Sequence, residues 1–299
     1  MEKLADLTTE SRSPYTDLDT LSIPEILRVI NREDARVPSA VAQELPQIAL
    51  AVRTIVDRLK KGGRLFYVGA GTSGRLGMLD AAECPPTFGV SKDLVQGVIA
   101  GGPTALVSSV EAVEDSQEAG ANDLAARNCG SADVVVAIAA SGRTPYCIGA
   151  LRYAASVGAA RIAVVCNKDS AMEAEAEITI APIVGPEVIM GSTRLKAGTA
   201  QKLVLNMLST ASMVKLGKVY SNLMVDLTPT NSKLMHRARL IVELATGADV
   251  ATIHEALQAS RYDVKTAIVM ILGDCTAERA RQALAVSDGN VRAAIKSRN

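Results

Sequence analysis

The sequence predicts an α/β fold: a parallel-sheet αβα sandwich followed by a small all-α domain. Between residues 64 and 182, short apolar runs alternate with stretches of helical periodicity. Near-continuous Val, Ile and Ala runs separated by helices are typical of parallel strands that are covered on both faces. After residue 230 no strand pattern remains. We therefore expect residues 1–230 to form one domain with N-terminal helices, and residues 231–299 to form a small helical domain.

The N-terminal part of the chain is predicted to be helical after a polar start. Residues 1–20 are polar, so we expect them to be poorly ordered unless they pack on a partner. The run Ser22-Ile23-Pro24-Glu25 has the pattern of a capping box, which predicts a helix through about Asn31. Apolar positions at helical spacing predict a second helix over 38–61, in which Pro46 implies a kink or a late start.

Five strands and the helices between them follow from the apolar pattern. The strands are predicted near 64–69, 94–100, 133–139, 161–166 and 178–181. The helices are predicted over 73–83, 103–119, 145–157 and 169–176, with a long amphipathic helix over about 194–218. The pair Pro85-Pro86 predicts a turn directly after the first of these helices.

Composition excludes several classes of function. The 299 residues include 32 Lys and Arg against 32 Asp and Glu, which leaves no electrostatic footprint for nucleic acid or an anionic membrane. No apolar run approaches the ~20 residues of a membrane-spanning helix, and the polar N-terminus is unlike a signal peptide. The five cysteines are scattered, without metal-ligand spacing, so we expect thiols in a reducing cytoplasm and no metal site.

A glycine-rich loop at 69–77, GAGTSGRLG, is the most informative motif. It follows an apolar strand and precedes a helix, where backbone N–H groups and the helix dipole stabilise an anion. It also fits the dinucleotide pattern G-x-G-x-x-G. However, the next strand ends in Gly101-Gly102-Pro103, without the acidic residue that would bind a ribose. The loop therefore predicts a phosphate site without a nucleotide cofactor; a purely structural glycine turn is the alternative.

A second loop of similar chemistry follows the strand at 133–139 and has the sequence ASGRTP. Because both loops follow strands of one parallel sheet, they are predicted to hold a single phosphate between them. Ordinary helix capping by Ser and Thr is the competing interpretation for each residue alone. The predicted phosphate-binding residues are Gly71, Thr72, Ser73, Ser141, Gly142 and Thr144.

Carboxylates are the candidate acid and base groups, because His236 and His254 both fall in the C-terminal helical region. Glu83 precedes the proline pair, which would aim it into the cleft. Glu111, Glu114 and Glu118 share one face of the predicted helix at 103–119, where a solvated stripe is the alternative, favoured for Glu111 and Glu118. Further candidate substrate contacts at a strand-end loop and the turn after it are Glu187, Ser192 and Lys196.

Three motifs resemble the N-acetylmuramic acid 6-phosphate etherase family, whose members carry a SIS (sugar isomerase) phosphosugar-binding domain. They are GAGTSGRLGMLDAAECPPTFG at 69–89, IAASGRTPY at 138–146 and GPEVIMGSTRLKAGTAQK at 185–202. The last motif also resembles the glucokinase regulatory protein, a more distant, non-enzymatic relative. The resemblance covers essentially the whole chain, and the C-terminal part resembles a UBA/CUE-type three-helix domain.

The resemblance implies a lyase that acts in murein sugar recycling. The family cleaves the D-lactyl ether of N-acetylmuramic acid 6-phosphate by elimination and then hydration, giving N-acetylglucosamine 6-phosphate and D-lactate. By motif position, Glu83 is implied as the proton donor and Glu114 as the second carboxylate, the base, with no metal or nicotinamide. Glu83 would then need an apolar or like-charged setting to stay protonated. A homodimer with sites near the interface is also implied.

Two other functions stay open at this point. An aldose–ketose phosphosugar isomerase would need a base at carbon 2 but no acid aimed at an ether oxygen. A non-catalytic sugar-phosphate sensor would bind the ligand and a protein partner without turnover. Release of D-lactate separates the etherase from both.

Overall fold

The structure, a computed structural model, describes residues 7–108, 110, 112–227 and 231–296. Its centre is a five-stranded parallel sheet in the order β2-β1-β3-β4-β5. The strands are β1 Leu65–Gly69, β2 Val95–Ile99, β3 Val134–Ile138, β4 Ala160–Val164 and β5 Ile178–Ile180. The predicted α/β class and its parallel sheet are therefore confirmed.

Burial explains why the strands have continuous apolar sequences. All five residues of β1 and all five of β3 are buried, so neither face of these strands meets water. The register aligns Gly69 of β1 with Ile99 of β2 and Ile138 of β3. The carboxyl ends of these three strands consequently lie at the same edge of the sheet.

Helices cover both faces of the sheet. In the sheet-forming part of the chain they are α1 Ile23–Asp34, α2 Val37–Gln43, α3 Leu45–Lys60, α4 Gly71–Phe88, α5 Gln117–Ala125, α6 Pro145–Ser156, α7 Ala171–Glu175 and α8 Lys196–Lys215. On one face, Leu124, Leu151 and Met172 from α5, α6 and α7 form a core with strand residues. On the other face, α4 lies against β1 and β2, where Met78 contacts Gly97.

The described residues form two compact units. One unit draws on residues 1–82 and 93–209, and the other on residues 83–92 and 210–299. The second unit contains a short hairpin, five helices and a hydrophobic core of its own. These elements are β6 Val219–Tyr220, β7 Leu223–Met224, α9 Ser232–Thr246, α10 Val250–Ala259, α11 Val264–Leu272, α12 Ala277–Val286 and α13 Val291–Lys296. The predicted boundary near residue 230 falls at 228–230, outside the described residues.

Two predicted elements are wrong. The helix predicted over 103–119 is replaced by a 3₁₀ helix at Gly102–Leu106, a set of turns and then α5, which Ser116 caps by accepting from the Ala119 N–H at 3.1 Å. The turn predicted at the proline pair is absent, because α4 continues through both prolines to Phe88. Pro85 and Pro86 have no N–H to donate to the carbonyls of Ala81 and Ala82, and α4 ends two residues after Pro86.

Two further observations bear on the predictions. No helix in the described part of the chain is both long and apolar enough to cross a membrane. Glu111, predicted to lie on a solvated helical stripe, is outside the described residues.

Candidate active site

A cavity of about 230 Å³ lies at the carboxyl ends of β1 and β3. Both predicted loops contribute to it, together with three residues from elsewhere in the same unit. Its lining residues are Glu10, Ala70, Gly71, Thr72, Ser73, Glu114, Ile138, Ala139, Ala140, Ser141, Thr144 and Thr193. The cavity is therefore the place where a strand-end ligand would bind.

The first loop presents the N-terminus of α4 to the cavity. Strand β1 ends at Gly69 and α4 begins at Gly71, so one residue separates them. The first N–H groups of a helix have no partner within it and carry the positive end of the dipole. Thr72 is partly exposed, whereas the buried Ser73 hydroxyl donates to Oε1 of Gln201 at 2.9 Å. Ser73 therefore offers its backbone, more than its hydroxyl, to a ligand.

The second loop presents two hydroxyls to the same cavity. Ser141 Oγ accepts from the Arg143 N–H at 3.2 Å, which leaves the Ser141 O–H to donate to a ligand. Thr144 is the N-cap residue of α6, but its hydroxyl makes no capping bond. Gly142, buried between them, has φ +69°, and a Cβ there would lie 2.5 Å from the Ser170 side chain. Only glycine fits at that position.

Glu114 brings a carboxylate to the phosphate loops. It lies in the turns before α5, and its carbonyl accepts from the Tyr146 N–H at 3.0 Å in the first turn of α6. Its Oε1 lies 3.4 Å from the position that a Cβ would take at Gly71. Burial, with the charge of Glu114 as a further cause, raises the pKa of the neighbouring Cys147 thiol to about 12. The interruption of the predicted helix is what turns Glu114 toward the cavity.

Comparison with known proteins gives the same family as the motifs. The chain is 57% identical to an N-acetylmuramic acid 6-phosphate etherase from Caldanaerobacter subterraneus subsp. tengcongensis, over 98% of this chain and 96% of that protein. It is 56% identical to the enzyme of that name from Erwinia tasmaniensis, over 98% and 96% of the two chains. The chain belongs to the N-acetylmuramic acid 6-phosphate etherase family.

The domain comparisons agree with this etherase family. Residues 47–155 match the model of the glucokinase regulatory protein N-terminal SIS domain, and residues 110–211 match the SIS domain model. A solved Bacteroides fragilis structure, whose name gives it as a phosphosugar isomerase involved in capsule formation, has a TM-score of 0.51 at 19% identity. That match covers 67% of this chain and 95% of the other, and it shows the fold alone.

Glu83, the proton donor that the etherase family implies, does not line the cavity. It is exposed on α4, twelve residues after Gly71 in the sequence. Glu83 belongs to the second compact unit, whereas Glu114 and the other residues that line the cavity belong to the first.

The three further candidate contacts do not line the cavity either. Glu187 is fully buried and caps α8, because its carboxylate accepts from the N–H groups of Lys196 at 3.0 Å and Ala197 at 2.9 Å. Burial raises the pKa of Glu187, although the two backbone bonds oppose the shift. Lys196 forms a buried ion pair with Glu33, and the N–H of the partly exposed Ser192 donates to Ile189.

The cavity contains two residues that the sequence analysis of this etherase-family chain missed. Thr193 comes from the loop before α8, one residue after the candidate Ser192. Glu10 comes from the N-terminal segment that was expected to be poorly ordered. No local pattern distinguishes Glu10 from other acidic residues, because its position depends on contacts with distant parts of the chain.

Neither His236 nor His254 is among the described residues that line this cavity. His236 lies on α9 and His254 on α10, both in the second unit. Within the described ranges, no group of three or more His, Cys, Asp and Glu side chains is arranged to hold a metal ion. The cavity itself contains two carboxylates, those of Glu10 and Glu114.

Proposed function

We propose that this chain cleaves the D-lactyl ether at carbon 3 of N-acetylmuramic acid 6-phosphate, giving N-acetylglucosamine 6-phosphate and D-lactate. The carrying observation is that Glu114 lies beside Gly71, at the N-terminus of α4, in a cavity shared with both hydroxyl loops. Full-length identity of 57% to an etherase supports the choice of substrate. The chain is then a carbon–oxygen lyase of amino-sugar catabolism, in murein sugar recycling.

The phosphate is proposed to bind at the N-terminus of α4. Backbone N–H groups of Gly71, Thr72 and Ser73 would meet its oxygens, aided by the helix dipole. The hydroxyls of Ser141 and Thr144 would donate from the opposite loop, which the turn at Gly142 holds in place. Such hydrogen bonds to a charged group contribute about 1.5–3 kcal/mol each.

Glu114 is proposed as the base. With the sugar ring open, the aldehyde acidifies the proton on carbon 2, and Glu114 would remove it. The carbon–oxygen bond at carbon 3 then breaks, and an acid protonates the departing lactate oxygen. Water adds to carbon 3 of the unsaturated aldehyde, which completes the overall hydrolysis. General acid and base groups typically contribute ~100- to 10,000-fold each.

Glu83 is proposed as the acid, supplied by a second copy of the chain. Its exposure supports this arrangement, because an exposed carboxylate loses its water when the surface of a partner covers it. We accordingly propose a homodimer whose two sites lie near the interface. A partner surface would also supply the desolvation that keeps a carboxylic acid protonated.

Three further assignments are also proposed. We propose that residues 231–299 form a separate helical domain of the UBA/CUE type, and that residues 1–230 form the catalytic domain. The protein is proposed to work in the cytoplasm. Glu187, Ser192 and Lys196 are proposed to support the loop before α8 rather than to contact substrate.

The test is an assay of D-lactate after incubation with N-acetylmuramic acid 6-phosphate. We expect stoichiometric D-lactate and N-acetylglucosamine 6-phosphate, with one oxygen from labelled water at carbon 3. Interconversion of an aldose phosphate and its ketose without lactate would instead identify an isomerase. Binding of the phosphosugar without any turnover would identify a sensor.

A further inference from the structure

Glu10 places a second carboxylate in the phosphate pocket. Its side chain is partly exposed, and its Oε2 lies 3.5 Å from the position that a Cβ would take at Gly191. Glu10 lines the pocket together with both phosphate loops. Because like charges repel, a carboxylate weakens the binding of a bare phosphate at this position. The presence of Glu10 therefore indicates that this side of the pocket receives a part of the ligand other than its phosphate.

One end of the N-terminal strap, residues 7–16, is held by the buried side chain of Asn167. Asn167 Oδ1 accepts from the Thr8 hydroxyl at 2.9 Å, and its Nδ2 donates to the Thr9 hydroxyl at 2.9 Å. The same Nδ2 donates to the carbonyl of Ala140 at 2.9 Å, in the second phosphate loop. Thr9 is completely buried, so Glu10 follows directly from a fixed point.

The other end of the strap is held by a buried ion pair. Tyr15 donates its hydroxyl proton to Oε1 of Glu33 at 2.9 Å, and Glu33 Oε2 accepts from Lys196 Nζ at 2.6 Å. Glu33 lies on α1 and Lys196 is the first residue of α8. The strap is thus fixed on both sides of Glu10, and the side chain is presented by a rigid support.

We propose that Glu10 contacts the sugar part of the substrate and is a specificity-determining residue for amino-sugar phosphates. This inference rests on the proposed function. An ionised carboxylate only accepts hydrogen bonds, so its partners would be sugar hydroxyls or the amide N–H of the acetamido group. An ionised phosphate has no proton to donate, so Glu10 faces the sugar end while the two loops hold the phosphate.

The test compares Glu10→Gln with the wild-type protein for two ligands. Inorganic phosphate probes the loops alone, and N-acetylglucosamine 6-phosphate probes the loops and the sugar contact together. We expect Glu10→Gln to weaken binding of the sugar phosphate by about tenfold in calorimetry, the loss of one charged hydrogen bond. Binding of inorganic phosphate should be unchanged or tighter, since a repulsive charge is removed. Glu118→Gln, exposed on α5, is the matched control.

Two outcomes overturn the proposal. If both ligands weaken equally in Glu10→Gln, the residue supports only the phosphate loops. If neither changes, Glu10 does not touch the ligand. Because both probes are binding measurements, they decide the role of Glu10 even if the wild-type protein releases no D-lactate, a result that would overturn only the proposed function.

The positioning role of Thr9 has its own test. Thr9→Val keeps the shape of the side chain but removes the oxygen that accepts from Asn167, and the bond from Asn167 to Ala140 can remain. We expect this variant to reproduce the selective loss of sugar-phosphate binding, and Thr9→Ser to restore it. Unchanged affinity for both ligands in Thr9→Val, with an unchanged melting temperature, would show that the hydrogen bond from Asn167 to Thr9 does not position Glu10.

Discussion

Lys196 and Glu33 form an ion pair of 2.6 Å, and both side chains are almost completely buried. The pair joins the start of α8 to the end of α1, and Tyr15 adds a hydrogen bond to the same carboxylate. Although burial opposes ionisation, the bonds from Lys196 and Tyr15 hold the pKa of Glu33 below its usual value. Lys196, which its motif position made a candidate substrate contact, therefore stabilises the fold through its ion pair with Glu33.

Lys196→Met is expected to reduce the free energy of unfolding by up to about 3–5 kcal/mol, because the buried Glu33 carboxylate then keeps only Tyr15 and the exposed Arg36 as partners. Chemical denaturation at neutral pH measures the loss. Lys215→Met, at the exposed end of α8, is the control and should change stability by less than about 0.5 kcal/mol. A small effect of Lys196→Met, equal to the control, would mean that the pair is solvated.

The same ion pair makes the stability of the fold depend on pH, and the direction of this dependence can be predicted. The pKa of Glu33 is lowered on folding from 4.5, so its ionisation stabilises the fold above that pH. The contribution is lost as pH falls through the folded pKa. The stability difference between wild type and Glu33→Gln should therefore shrink when denaturation is repeated below pH 4.5. A difference that grows on the acid side would contradict the assigned direction.

The fold could be predicted because its main signals are local. A strand such as β3 is buried on both faces, so its sequence is apolar throughout and its limits are visible within one or two residues. The hairpin β6–β7 was missed because it has only two residues on each side of a turn at Ser221, whose φ is +53°. The end of α4 differs from the prediction because the helix continues through Pro85 and Pro86, although proline usually ends a helix.

The site could be predicted only where residues adjacent in sequence act together. Thr72 and Ser141 follow buried strands directly, so the edge of the sheet gathers them. Glu10 is different, because the bond that fixes its neighbour Thr9 joins residues 158 positions apart. Glu187 appeared to be available for substrate, and its capping of α8 becomes visible only in three dimensions.

Ser141→Ala and Ser73→Ala are expected to fail in different ways. Loss of the Ser141 hydroxyl should raise the Michaelis constant about 10- to 100-fold, because a charged hydrogen bond of about 1.5–3 kcal/mol is lost. Ser73→Ala should raise it less, since the Ser73 hydroxyl donates to Gln201. That variant should instead lower the free energy of unfolding by about 1–3 kcal/mol. Steady-state kinetics and denaturation together decide; equal Michaelis constants for the two variants would oppose this division.

The proposed supply of Glu83 from a second copy predicts complementation. Glu83→Gln and Glu114→Gln should each be inactive alone. After the two are mixed under subunit exchange, random C2 dimers would be half mixed, each with one intact site, so about a quarter of wild-type activity should return. Sedimentation of each variant and of the mixture would test whether the chain forms a dimer. No recovery from a mixture in which mixed dimers are demonstrated would place both carboxylates in one chain.

The two carboxylates should also differ in the step that each one blocks. If Glu114 removes the proton on carbon 2, Glu114→Gln should lose both lactate release and exchange of that proton with solvent deuterium. If Glu83 protonates the leaving oxygen, Glu83→Gln should lose lactate release by ~100- to 10,000-fold while some exchange persists. Proton NMR in deuterium oxide follows exchange and an enzyme-coupled assay follows lactate, with Glu118→Gln as the folding and activity control. Exchange lost only in the Glu83 variant would keep the chemistry but reverse the two roles, because the base is the group whose loss prevents the carbon–hydrogen bond from breaking.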